Sequence, residues 1–159
     1  MKQILIIFLF LSFWLCSFAE VPPFSLKVID YSRSWTSTMH YSFSDEEMSV
    51  VKVDNVEKSK TDTLSHRELL GKEKEAIYRY LSLISQIQFQ SEYKDLTGGD
   101  RNQKRVIFNL DGVEQSVLVS NTYQQDIAGL VTFLNTFVSD KRKMKEFVDP
   151  NKPSKQPQK

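Results

Sequence analysis

Asp111-Gly112 stands between two alternating runs, Arg105 to Leu110 and Val113 to Ser120. A type I′ turn needs positive φ at both central residues, and Asp-Gly tolerates it, so the pair predicts a two-residue hairpin. That turn fixes the pairing: Leu110 opposite Val113, Phe108 opposite Gln115, Val106 opposite Val117. These six share one face on which only Gln115 is polar, so that face is the expected core face. Asn109, Glu114 and Ser116 fall on the other face and can meet water. Whatever else the chain does, it has to supply a layer to cover the first face.

The segments before and after offer that layer. Phe24, Leu26 and Val28 alternate with Ser25 and Lys27, as a half-buried strand does. Met39, Tyr41 and Phe43 alternate with His40 and Ser42, and Met48 to Val53 is a β-branched run. Residues 37–43 and 48–54 therefore predict a second hairpin with Asp45-Glu46-Glu47 at its tip. Residues 55–63 are polar and charged and read as a mobile connection. Ser65-His66-Arg67-Glu68 fits a capping box, with Leu64 and Leu69 as a hydrophobic staple. Ile77, Tyr80, Leu81 and Ile84 follow at helical spacing, which predicts a helix over 66–87. Gly71 weakens its first turns by about 1 kcal/mol relative to Ala. Ile127, Leu130, Val131, Leu134, Phe137 and Val138 make one stripe of a last helix over 123–140, capped by Asn121 or Thr122. The expected fold class is α+β: two antiparallel hairpins forming a sheet, with two helices packed on one face.

The ends of the 159-residue chain read differently from its middle. Lys2, the apolar run Ile4 to Leu15 and Ser17-Phe18-Ala19 have the pattern of a secretory signal cut after Ala19. A membrane anchor and a lipid-modified Cys16 are the alternatives. The run is short of the roughly 20 residues that span a bilayer, and Leu15 stands where a lipoprotein signal has a small residue. Cys16 is the chain's only cysteine, so a chain cut after Ala19 has neither a disulfide nor a thiolate. Residues 20–140 hold 13 basic and 18 acidic residues, a net of −5; residues 141–159 hold 7 and 2, a net of +5. The expected organisation is a signal at 1–19, one domain at 20–140, and a basic helix end with a disordered tail at 141–159. The basic residues 141–145 would complement the negative end of the last helix.

No catalytic or metal-binding set emerges. His40 lies in a strand and His66 in the expected capping turn, far apart and without cysteines, so zinc spacing is absent. Asp45-Glu46-Glu47 lacks the alternating acids of a calcium loop. Gly98-Gly99-Asp100 has no Lys-Ser sequel and is no phosphate cradle. Tyr31, Trp35, Tyr41 and Tyr93 stand among Ser, Thr and acids in a net-negative domain, against single-stranded nucleic-acid binding.

Leu64-Ser65-x-x-Glu68, Phe89-x-Ser91-Glu92-Tyr93-x-Asp95, Asp111-Gly112 and Ile127-x-x-Leu130-x-x-Phe133-Leu134-Asn135 follow one another over residues 25–138. The succession resembles small secreted bacterial proteins with hairpin–helix–hairpin–helix domains and no assigned function. The resemblance implies a periplasmic or outer-surface location and brings no catalytic residue.

Three functions fit: a protein-interaction module (an inhibitor, an immunity protein or an envelope accessory), a small-ligand binder, and a carboxylate-dependent hydrolase. The first is the expectation, with no cofactor, no metal and no nucleic acid, and with membrane contact only through the basic tail. The acidic domain would steer it to a basic protein partner. Candidate contacts are Asp45, Glu46 and Glu47 at one tip and Glu92, Asp95 and Asp100 in one loop, with Tyr93 as anchor.

Overall fold

Alternating side chains become a sheet only where each strand finds a partner of matching register. The computed structural model describes residues 21–32, 34, 36–57, 60–95 and 102–151. Strands β1 (Phe24–Asp30), β2 (Ser37–Ser44), β3 (Glu47–Asp54) and β4 (Thr61–Glu68) come first, followed by helix α1 (Gly71–Ser85). Then come β5 (Glu92–Lys94), β6 (Gln103–Leu110), β7 (Val113–Ser120) and helix α2 (Gln125–Leu134). The seven strands form one sheet in the order β4-β3-β2-β1-β6-β7-β5, antiparallel except for the β5–β7 pair.

The Asp111-Gly112 hairpin forms in the expected register. Asp111 and Gly112 have φ of 52° and 80°. Leu110, Phe108, Val106 and Val117 are buried, and Gln115 donates its side-chain amide to the Ser85 carbonyl at the end of α1. Val113, expected on the core face, is exposed at the hairpin tip, although its partner Leu110 is buried. The two expected hairpins do not meet directly. β1 lies between them and pairs with β2 on one side and β6 on the other, with Leu26 facing both Phe43 and Phe108.

The sheet is larger than expected because 61–68 is strand. The capping-box reading of Ser65 and Glu68 is corrected here, as are the mobile reading of 61–63 and the helical start at 66. Ser65, His66 and Arg67 pair with Val50, Ser49 and Met48 of β3. β3 without β4 would present an unpaired edge, and pairing along a whole strand outweighs one local cap. The helix begins five residues later. Leu70 is its extended N-cap and has no side-chain acceptor, and Glu73 reaches back to accept the Leu70 N–H at 2.9 Å. Arg67 clamps Glu73 through two bonds of 2.7 and 2.9 Å, tying the end of β4 to the first turn of α1.

The last helix is also shorter than the expected 123–140. Gln124 rather than Asn121 or Thr122 caps it, accepting the Ile127 N–H at 2.6 Å. It ends at Leu134, so residues 141–145 are not its C-terminal turn. After a 3-10 turn at Asp140–Arg142 the chain becomes a strap across the core. Met144 and Phe147 are buried in that strap. Asn135 accepts the Met144 N–H at 2.8 Å and donates to the Met144 carbonyl at 3.0 Å. The Tyr41 hydroxyl donates to the Arg142 carbonyl at 2.8 Å, and Asn102 donates to the Glu146 carbonyl at 2.9 Å.

The core gathers one face of the sheet (Leu26, Val28, Tyr41, Phe43, Val50, Val106, Phe108 and Val117 among others). Ile77, Leu81 and Ile84 of α1 pack on it with Ile127, Leu130, Val131 and Leu134 of α2. Phe108, Val117, Leu81, Ile84, Leu130 and Leu134, all read from the sequence as members of apolar faces, are buried in it. Tyr80 stacks on Phe133 at 4.7 Å, and Phe133 meets Phe137 edge-on at 5.1 Å. At one end of β1 and β6 a fully buried pair, Asp30 and Lys104, sits with its charged atoms 3.6 Å apart. Residues 1–19, expected to be a secretory signal, Trp35, Gly98 to Asp100 and the residues beyond Asn151 lie outside the described residues.

Candidate interaction surface

A strand pair fixes which side chains are neighbours, so the second face of the sheet can be read row by row from its registers. In the row nearest the Asp111-Gly112 turn stand Glu68, Glu47, Ser44, Ser25, Asn109 and Glu114. The next row is His66, Ser49, Ser42, Lys27, Ile107 and Ser116. The third is Thr63, Val51, His40, Ile29, Arg105 and Leu118. No apolar residue of this face belongs to the core cluster or packs against it, and both helices bury their stripes on the other side. Among the described residues these three rows therefore have no covering layer, whereas Thr38 and Ser120 in the row beyond them are buried.

Its central side chains, Lys27, Ile29, His40, Val51, Arg105, Ile107 and Leu118, are half-buried by their neighbours in the sheet. Lys27 and Arg105 have no ion pair or side-chain hydrogen bond among the described residues. His40 contacts the Thr38 hydroxyl at 3.2 Å. Partial burial pushes its imidazole below the usual histidine range, and the positive charge of Lys27 lowers it further. Acids stand only at the margins of the face. Glu47 lies 2.5 Å from the His66 ring nitrogen, and both are about half exposed. His66 is thus a strand residue rather than part of a helix cap.

The two acidic groups singled out in the sequence fall far apart. Asp45 and Glu46 form the β2–β3 turn, where the Ser44 hydroxyl accepts the N–H of Glu46 and of Glu47 at 3.2 and 3.1 Å. Glu47 opens β3. Glu92 and Tyr93 belong to the short edge strand β5 rather than to a loop, and Asp95 follows it with its N–H on the Ser120 carbonyl. Five strand spacings separate β3 from β5, about 24 Å, and the turn lies at the opposite end of the sheet from Asp95. Glu92 is 3.9 Å from Lys94, and Tyr93 accepts the Gln90 N–H at 3.1 Å. Asp100 lies outside the described residues.

Two surface depressions border β5. One of about 430 Å³ is lined by Ser85, Gln86, Ile87, Phe89, Gln115 and Ser116 among others, and has no ionisable side chain in its wall. The other, about 600 Å³, is lined by Gln90, Glu92, Tyr93, Lys94 and Thr122. Among the described residues no group of three His, Cys, Asp or Glu could hold a metal ion, and no helix is long and apolar enough to cross a membrane.

Sequence reasoning placed Lys27, His40 and Ser42 off the core side of their strands, but it did not assemble them. The missing information was the strand order: β1 between β2 and β6 brings Lys27 and Ile29 beside His40 and Arg105. Comparison with protein-family models, curated proteins and solved structures finds no match for this chain.

Proposed function

We propose that this chain is a non-enzymatic protein-binding module whose contact surface is the uncovered face of its sheet. The observation that carries the reading is the asymmetry of that sheet. One face is sealed by two helices and the C-terminal strap, while the other displays half-buried isoleucine, valine and leucine between basic side chains with no layer above them among the described residues. From β4 to β7 the face is about 24 Å wide and about 26 Å long, roughly 600 Å² in projection. A standard protein interface uses about 800 Å² per partner, so a partner of modest size can dock on this face alone. The scattered placement of Asp45, Glu46, Glu47, Glu92 and Asp95 assigns these acids to the rim, where charge tunes association rate more than affinity. Export is part of the proposal and rests on the Ile4 to Leu15 run with Ser17-Phe18-Ala19 behind it. Mass spectrometry of the processed protein is expected to find Glu20 at its N-terminus.

The test is photo-crosslinking in the native host. A photoreactive amino acid at Ser42 or Ser116 is expected to trap one discrete protein species. The same group at Lys72, on α1, is expected not to. Equal labelling from both sides, or none from Ser42 and Ser116, refutes the assignment.

A further inference from the structure

The binding face has a sign. Ile29 is flanked in its own row by His40 and Arg105, and Lys27 stands two residues along the same strand on the same face. Three basic side chains thus surround one isoleucine, with directly opposed Cβ atoms about 5 Å apart and successive rows about 7 Å apart. Among the described residues Lys27 and Arg105 have no counter-ion; burial lowers the basicity of His40 and the nearby charge of Lys27 lowers it further. The domain as a whole is acidic, so this centre opposes its surroundings: Glu47, Glu68 and Glu114 rim the end nearest the Asp111-Gly112 turn, and Glu92 of β5 stands beside Leu118 at the edge of the His40–Arg105 row.

We propose that Lys27, His40 and Arg105 form an anion-recognising centre on the open sheet face that selects an acidic, apolar-interspersed segment of a protein partner. The inference rests on the binding-module reading above and adds the chemistry of the partner. Carboxylates lying over Lys27 and Arg105 supply the missing counter-charges in a half-desolvated setting, where each pair is worth more than in open water. Ile29, Val51, Ile107 and Leu118 give the intervening apolar side chains something to cover. Two other anionic partners fit less well. Single-stranded nucleic acid is held by a basic groove with a series of stacking rings, and this face offers one aromatic ring, Tyr31 in the row beyond Ile29, rather than a series. An anionic bilayer presents charge everywhere, and the rim of Glu47, Glu68 and Glu114 repels it, whereas a discrete acidic segment can cross the centre and avoid that rim.

Fluorescence anisotropy of the full chain decides the matter with four probes. These are a labelled peptide alternating Glu and Val, its Lys and Val counterpart, a single-stranded oligonucleotide of equal charge, and phosphatidylglycerol vesicles. The Glu and Val peptide is expected to bind. Lys27→Ser with Arg105→Ser is expected to weaken it roughly 10-fold or more and to reduce its salt dependence, while Lys27→Arg retains it. Thermal unfolding of the double variant confirms that the fold is intact. Failure of the acidic peptide to bind, indifference to the double variant, or tighter binding of the oligonucleotide or vesicles through the same residues overturns the inference. The crosslinking assay separates the two readings. If Ile107→Asp abolishes trapping but the Lys27 and Arg105 variant does not, the face is the interface and the anion centre is wrong. If trapping from Ser42 and Ser116 is nonspecific, the binding-module reading fails first.

Discussion

Lys104→Met is the sharpest probe of how the C-terminal strap is held. The lysine is fully buried in β6, and methionine keeps most of its stem volume. The substitution removes the ammonium group from three neighbours: Asp30 Oδ1 at 3.6 Å, Asn102 Oδ1, and the Phe147 ring, whose centroid lies 4.7 Å away. Asp30 keeps the Ser32 N–H at 2.9 Å and the Ser32 hydroxyl, both on Oδ1, while its Oδ2 has no hydrogen-bond partner. A buried carboxylate is then left without its cation, and removing one partner of such a pair costs about 3–5 kcal/mol. In a domain of this size each kcal/mol moves Tm by roughly 3–5 °C, so the variant should melt roughly 10–20 °C lower. Circular dichroism under heat and urea reads the loss, with an unchanged urea m-value if the strap does not detach. Adding Asp30→Asn removes the orphaned charge and should recover about 1–2 kcal/mol as a coupling energy. A single-variant loss below about 1 kcal/mol, or strictly additive effects, would refute the account of the pair.

Three further outcomes are expected. Gly112→Val should cost about 1–2 kcal/mol in chemical denaturation, because a β-branched residue resists the φ of 80° that the turn requires. At Gly129 an added Cβ would stand 2.7 Å from the Tyr80 hydroxyl, so Gly129→Ala should cost about 1–3 kcal/mol, and Tyr80→Phe in the same chain should return most of it. Hydrogen bonding to Arg67 holds the Glu73 carboxyl below its usual 4.5, so its stabilisation is present above that value and is lost as pH falls through the depressed one. Glu73→Gln should therefore flatten the acid limb of a stability–pH curve; the partly exposed Arg67 limits its cost at pH 7 to about 1 kcal/mol.

What was legible in the sequence was whatever local chemistry decides alone. Asp111-Gly112 sets both the turn and the register, and no distant contact competes with it. The stripes Ile77-Leu81-Ile84 and Ile127-Leu130-Leu134 name the buried faces of the two helices because period and burial agree. Ser65-His66-Arg67-Glu68 misled because its cap pattern is also a good strand pattern, and only the free edge of β3 decides between them. The strap was illegible for a related reason. Six basic or acidic residues, Lys141, Arg142, Lys143, Lys145, Glu146 and Asp149, surround Met144 and Phe147, and nothing local says that Asn135, Asn102 and Tyr41 will receive that backbone.

The same reasoning explains why charge counting pointed at the acids while the structure points at the bases. A count over 20–140 weights every residue equally and returns −5. Most of those acids stand at turns and margins, where water screens them and a partner gains little by pairing them. Lys27, His40 and Arg105 come from three strands separated in sequence, and strand order alone places them around Ile29. Partial burial reduces the hydration of Lys27 and Arg105 and strengthens their field, so two positive groups at the centre of a face, with the His40 ring between them, outweigh a larger number of acids at its edge. A partner chosen by net charge would be basic; a partner chosen by the proposed contact would be acidic. The Glu and Val peptide and its Lys and Val counterpart put those two selections in direct opposition.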